Sequence, residues 1–195
     1  MDNIQYNQNR YNKKRQWYRL KLGIYQLRNY PVINIIWIGF FIGIYFLISL
    51  RKIVLTSFDV PQLLEPVFNG CMTFFIIVFP VLLVIGILQG IGEMTAKRDE
   101  ADVFRVFSDN RDIKNEAPIL IFKKKVKGKD VTVREFYTTI PMEQWQQKKE
   151  AISDIMNIHI IGEIEYCNHH GNKIIIKSAK GRKIIERGVL YDDTF

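Results

Sequence analysis

The sequence predicts a membrane α-helical hairpin followed by a small cytosolic α+β domain, and three observations carry that reading. Residues 67–91 (VFNGCMTFFIIVFPVLLVIGILQGI) contain no Asp, Glu, Lys, Arg or His, and residues 32–50 (VINIIWIGFFIGIYFLISL) form a second charge-free run. From Pro118 onward, short apolar-polar alternations are separated by turn residues. At about 1.5 Å per residue, a helix over 67–91 exceeds the roughly 30 Å hydrocarbon core of a bilayer, and one over 32–50 just reaches it. The interior of a soluble domain rarely needs so long an uninterrupted apolar helix. Pro80 falls inside the longer run, where a membrane helix tolerates a kink once its neighbours satisfy the freed carbonyl.

The net charge of +8 is unevenly spread. Residues 1–30 form a basic head: Arg10, Lys13, Lys14, Arg15, Arg19, Lys21 and Arg28 face Asp2 alone, for a net +6. Its distal part, Arg15 to Asn29, reads as a short interfacial helix with Trp17, Tyr18, Leu20, Leu22 and Ile24 among the cations. Lys13, Lys14, Arg15 and Arg19 are candidates for contact with lipid or DNA phosphate, since juxtamembrane cations are drawn to anionic headgroups by about 1 kcal/mol each. No small-residue cleavage site of a signal peptide follows the first apolar run.

Residues 31–92 make the hairpin, with spans near 32–50 and 67–91 and a short loop over 51–66 whose charges cancel. Gly39 and Gly43 repeat the small-xxx-small spacing, as do Gly86 and Gly90, so these four are candidate helix-packing positions within the hairpin or between copies. Seven cations precede the first span, Lys97 and Arg98 follow the second, and the loop holds only Arg51 and Lys52. The positive-inside rule therefore predicts a two-pass protein of the cell membrane with both termini cytoplasmic.

Residues 93–116 read as a juxtamembrane helix and linker whose charges form a solvated face around Ala101, Phe104 and Phe107. Residues 93–195 together hold 19 basic and 17 acidic residues, and residues 117–195 the order β-β-α-β-β: strands over Ile119–Lys125 and Val131–Thr138, turned at Gly128, then a helix opened by Pro141, then strands over Ile158–Cys167 and Lys173–Ser178. One helix is expected to lie across a single antiparallel sheet. Lys123, Lys124, Lys125 and Lys127 make a basic stripe on the first hairpin; lysines there protect an edge strand or touch DNA backbone.

Catalytic constellations are scarce. His169 and His170 are neighbours in a turn, and adjacent positions chelate poorly. Cys71 and Cys167 lack metal-site or redox spacing. Residues 179–183 (AKGRK) lack the glycine pattern of a phosphate loop. No catalytic residue, metal site or cofactor is expected.

The order of features, with the passages EAPILI (Glu116–Ile121) and VTVREFYTTIPMEQWQQKKEAI (Val131–Ile152), resembles the N-terminal membrane-anchor and adaptor region of FtsK/SpoIIIE-type DNA translocases of Gram-positive conjugative elements. The helix expected to end at Asn110 and the paired strands ending near Ser178 extend the likeness over most of the chain. In such proteins this region precedes an ATP-driven motor that moves DNA across the membrane. The resemblance implies a non-catalytic anchor and adaptor, truncated before its ATPase motor or paired with a motor encoded separately. No ATP-binding residue carries over, because no position matches the motor's motifs. Expected partners are the lipid bilayer, further copies of the chain, and motor or transfer-complex proteins. Contact with DNA runs through the motor and is weak if direct. The alternative is an independent membrane-anchored adaptor that binds a protein partner.

Overall fold

A computed structural model describes residues 3–57, 64–107, 116–126, 128, 130–167 and 171–181. The chain divides into two compact units, Met1–Arg98 and Asp99–Phe195.

The first unit is helical. Helix α1 covers Asn3–Asn29, well beyond the short helix expected from Arg15. No glycine or proline interrupts its first 20 residues, 3–22, so nothing there breaks the hydrogen-bond ladder. It stops where Pro31 pushes Tyr30 out of helical space, to φ −127° and ψ 86°. A 3₁₀ turn, Pro31–Ile35, leads into α2, Ile36–Ser57. Helix α3 is a single run of 42 residues, Glu65–Val106, that continues through Pro80. The second apolar run and the first part of the expected juxtamembrane helix are thus one element; the end of that expected helix, near 108–111, lies outside the described residues.

Two stretches, Pro31–Leu50 and Glu65–Val106, are long and apolar enough to cross a membrane, and in the most apolar 18 residues of each the chain itself buries no side chain. Ile38, Phe41, Tyr45, Phe74, Ile77 and Leu82 are all exposed. Hydroxyls within these runs turn back on their own helix: Ser49 Oγ donates to the Tyr45 carbonyl at 2.9 Å and Thr73 Oγ1 to that of Asn69 at 2.8 Å. Such internal bonds let a polar side chain sit on an apolar helix.

The second unit is a five-stranded antiparallel sheet backed by helices. Its strands are β1 (Ile119–Lys125), β2 (Val131–Tyr137), β3 (Ile158–Ile160), β4 (Glu165–Tyr166) and β5 (Lys173–Lys180). The spatial order is β1-β2-β5-β3, with β4 also on β5. The chain order is β-β-α-α-β-β-β, which departs from the expected β-β-α-β-β at two places. The expected helix after Pro141 is two short helices, α4 (Met142–Gln147) and α5 (Lys149–Met156), parted at Lys148. The expected strand over 158–167 is interrupted where Gly162 takes a positive φ of 75°, a conformation glycine adopts without steric cost.

The two hairpins do not stand apart. Strand β5 pairs with β2 along Val131–Tyr137, placing it at the centre of the sheet. A bulge between Leu120 and Phe122 shifts the β1 register, and Ile119, Leu120 and Ile121 are all buried there. An extra residue breaks the two-residue alternation, so three consecutive apolar side chains find cover. The turn at Gly128 has its expected positive φ of 75°. Lys127 lies outside the described residues.

Trp145 is the centre of the core. It is fully buried against Phe107, at 4.6 Å between ring centroids, and Phe136, at 6.0 Å. Its indole N–H donates to Thr138 Oγ1 at 3.3 Å, which also accepts the Ile140 amide. Asn157 ends α5 in the left-handed region, at φ 50°, a position asparagine tolerates better than most residues.

Candidate functional site

Among the described residues, each unit holds a cluster of paired charges. In the first unit, α1 runs against α3 around the end of the apolar stretch, from Gly86 to Glu93. Arg19 Nε donates to Glu93 Oε2 at 2.6 Å, and Arg15 Nη2 donates to Glu93 Oε1 at 3.0 Å. The two arginines are one helical turn apart, so both reach the same carboxylate. Arg19 is only 3% exposed, and a charge so buried requires a partner of opposite sign.

Close backbone approach makes this arrangement feasible. A Cβ added to Gly23 would overlap the Leu88 carbonyl oxygen, and one added to Gly92 would overlap that of Arg19. Each helix therefore presents a glycine to the other's backbone. Any other residue at these positions would drive the helices apart, because the obstructing atoms belong to main chain and cannot rotate away.

The four glycines expected to pack behave differently. A Cβ on Gly39, Gly43, Gly86 or Gly90 would meet nothing within 4 Å. Within one chain they draw no helices together. Gly39 and Gly43 instead line an apolar cavity of about 340 Å³ opposite Phe79, Pro80 and Leu83.

In the second unit, Asp99 is the anchor point. Its Oδ2 accepts from Arg134 Nε and from Lys123 Nζ, both at 2.8 Å. Arg134 also donates from Nη1 to Ser178 Oγ at 2.6 Å, tying β2 and β5 to the last turns of α3. Glu100 Oε1 accepts the Leu120 amide at 2.7 Å, beside the β1 bulge. Lys148 Nζ donates to the Val106 carbonyl at 2.6 Å and lies over the Phe107 ring, a cation placed where a helix C-terminus leaves carbonyls unsatisfied. Of the expected solvated face, Lys97, Arg98 and Arg105 are exposed and Asp99 is buried; of the apolar residues expected together, Phe107 is buried with Val103 and Val106, whereas Ala101 and Phe104 are exposed.

The basic stripe of the first hairpin is divided by these contacts. Lys123 is committed to Asp99, Lys125 pairs with Asp130 at 2.8 Å, and Lys124 is exposed. The hydrogen bond from Lys125 holds the Asp130 carboxyl below its usual range. On the sheet, Glu135 is pushed the other way: burial raises its pKa, against a smaller opposing effect of Lys173. On α1, Lys13 lines a cleft with Gln16 and Trp17, while Lys14 is half-buried.

Among the described residues, no three His, Cys, Asp or Glu side chains gather as a metal site; His169 and His170 lie outside them. The residues that sequence reasoning missed are Gly23, Leu88, Gly92 and Glu93 in one cluster and Asp99, Glu100, Arg134 and Ser178 in the other. One weak signal was available: Glu93 is the first charged residue after the long apolar run.

No protein-family model matches this chain, and no curated protein matches it. A solved structure, that of the pCW3 conjugation coupling protein TcpA in a monomer form with ATPγS, is similar at 28% identity with a TM-score of 0.36. The similarity covers 43% of this chain and 23% of that one.

Proposed function

We propose that this chain is a membrane anchor and adaptor for conjugative DNA transfer, non-catalytic in itself, serving an FtsK-like motor. The observation that carries the anchor role is the exposure of two membrane-length apolar helices beside a separately folded sheet unit. A soluble protein rarely leaves contiguous apolar surface beyond a few hundred Å² open to water. A bilayer removes that cost. In this reading the chain passes the membrane twice, both termini are cytoplasmic, and the sheet unit docks motor or transfer-complex proteins. The open glycine face of Gly39 with Gly43 is available to helices of further copies.

The resemblance of residues 116–152 to the adaptor region of FtsK/SpoIIIE-type translocases supports the DNA-transfer part of the reading. The experiment is deletion of the gene in the donor cell, with the full chain restored in trans. DNA transfer to recipients is expected to fall to background on deletion and return on complementation, with the chain resisting alkaline extraction from membranes. Unchanged transfer would overturn the conjugative role, and a chain washed off by alkali would overturn the anchor role.

A further inference from the structure

Alongside the glycine crossing, α1 and α3 leave a furrow of a particular chemistry. Three adjoining cavities, of about 350, 350 and 220 Å³, share Gln16 as a common wall. Lys13, Arg15 and Arg19 line the furrow, against Glu93 as its one carboxylate. Three cations to one anion leave a positive excess. Glu93 holds both guanidinium groups in place through the 2.6 and 3.0 Å bonds described above. The amides of Gln16 and Gln89 add neutral hydrogen-bonding groups beside them.

The α3 side of the furrow is floored at backbone level within the long apolar run, among the side chains of Gln16, Arg19, Gln89 and Glu93. Gly86 and Gly90 form its base, one helical turn apart on one face of α3, and neither has an atom within 4 Å of where a Cβ would be. Glu93 lies a further turn along the same helix. The cations thus lie next to a backbone-level floor formed by the last turns of the apolar stretch. Trp17, 57% exposed, stands at the cationic end, the setting in which Trp marks a membrane-water boundary.

From this juxtaposition we infer that the α1–α3 furrow is a binding site for an anionic phospholipid, its phosphate beside Lys13, Arg15 and Arg19 and one acyl chain on Gly86 and Gly90. The inference rests on the anchor reading and adds the ligand. A free phosphate would engage only the cations, whereas a phosphodiester on two acyl chains engages the floor as well. A zwitterionic lipid brings an ammonium group into a furrow that already carries excess positive charge, so discrimination against phosphatidylcholine follows from the same residues.

The test uses the full chain, purified in mild detergent containing equal phosphatidylglycerol and phosphatidylcholine, with retained lipid weighed by native mass spectrometry. Phosphatidylglycerol is expected to be retained in preference to phosphatidylcholine. Arg15→Gln should reduce that preference roughly tenfold, the loss of one charge-assisted contact. Gly90→Leu, which meets open space in the fold, should fill the furrow and abolish retention with helix content unchanged. Equal retention of both lipids, or full retention by Gly90→Leu, would overturn the inference. Displacement of the lipid by millimolar inorganic phosphate would do the same, by assigning the cations to a free anion. Alkaline extraction from vesicles of the same lipids separates the two readings. A chain that stays in the membrane without lipid preference loses only the furrow site, and one that is extracted loses the anchor role and the furrow with it.

Discussion

Ile38 and Ile174 are the same side chain in opposite surroundings. Ile38, on α2, is 61% exposed; Ile174, on the central strand, is fully buried. The contrast extends to the units around them. In the sheet unit, apolar side chains meet one another: Trp145 lies on Phe107 and Phe136, and Ile152, Ile174 and Ile176 are sealed from solvent. In the helical unit, the most apolar stretches of the chain bury little against each other, and their aromatic contacts run along a single helix, as between Trp37 and Phe40 or Phe75 and Phe79. Burial contributes about 25 cal/mol per Å² of apolar surface removed from water. The sheet unit obtains that contribution from its own core, whereas the helical unit can obtain it only from an apolar environment outside the chain.

Polar groups show the same division. Where α1 meets α3, a buried arginine, a carboxylate and two glycines hold the helices together, with little large apolar packing besides Leu22. At the last turns of α3, Asp99 is buried against its two cations, Lys123 and Arg134, inside a unit that has an apolar core of its own. Helices in lipid associate through close backbone contact and polar bonds, because lipid tails are as apolar as the side chains they would replace.

The comparison breaks most visibly at Trp145. Trp145→Ala should destabilise the sheet unit by about 3–5 kcal/mol, read as lost hydrogen-exchange protection of the β2 and β5 amides in the full chain. Ile38→Ala should change the same protection by less than about 0.5 kcal/mol. Equal losses would mean that the stability of the sheet unit depends on the helical unit as much as on its own core. Asp99→Ala comes next, at about 3 kcal/mol, since it leaves Arg134 buried without its carboxylate. Asp99→Leu combined with Arg134→Met should regain most of that stability, because a well-packed apolar pair replaces a desolvated ionic one.

Gly23→Leu probes the helical unit and should cost its α1–α3 contact about 1–3 kcal/mol. Cysteines placed by Leu20→Cys and Gln89→Cys, in a chain with Cys71 and Cys167 replaced, line one cleft and should cross-link. Gly23→Leu should abolish the cross-link and Gly90→Leu should spare it. Persistence of the link in Gly23→Leu would show that the glycine crossing does not set the helix spacing.

The smallest effect is a pH slope. Burial raises the Glu135 pKa above its usual 4.5, so between those two values the folded sheet unit holds a proton that the unfolded chain has lost. Stability contributed by this group therefore declines as pH rises through that window and stays lower above it. Glu135→Gln should flatten the slope and slightly stabilise the unit at neutral pH, by less than about 1 kcal/mol given solvent screening of a half-exposed group. The exposed Asp130 has the opposite sign, its contribution being present at neutral pH and lost as pH falls through its lowered pKa.

The sequence alone determined the features that depend on neighbours along the chain. Charge-free runs locate the two apolar helices, Pro31 sets the break between α1 and α2, Gly128 marks its turn, and alternation exposes β1 and β2. It also singled out Arg15 and Arg19 as candidate phosphate contacts, but not the carboxylate they share. Glu93 lies 74 residues beyond Arg19, and no local pattern couples two positions at that distance. The tertiary structure decided the rest: β5 as the central strand, Gly23 and Gly92 rather than the spaced glycine pairs as the crossing point within the chain, and Asp99 as a buried ion pair rather than a solvated charge. Each depends on which distant backbone or charge arrives opposite a residue. Helical and strand periodicity follow from local backbone geometry, whereas register, close approach and desolvation exist only once two remote segments are in contact.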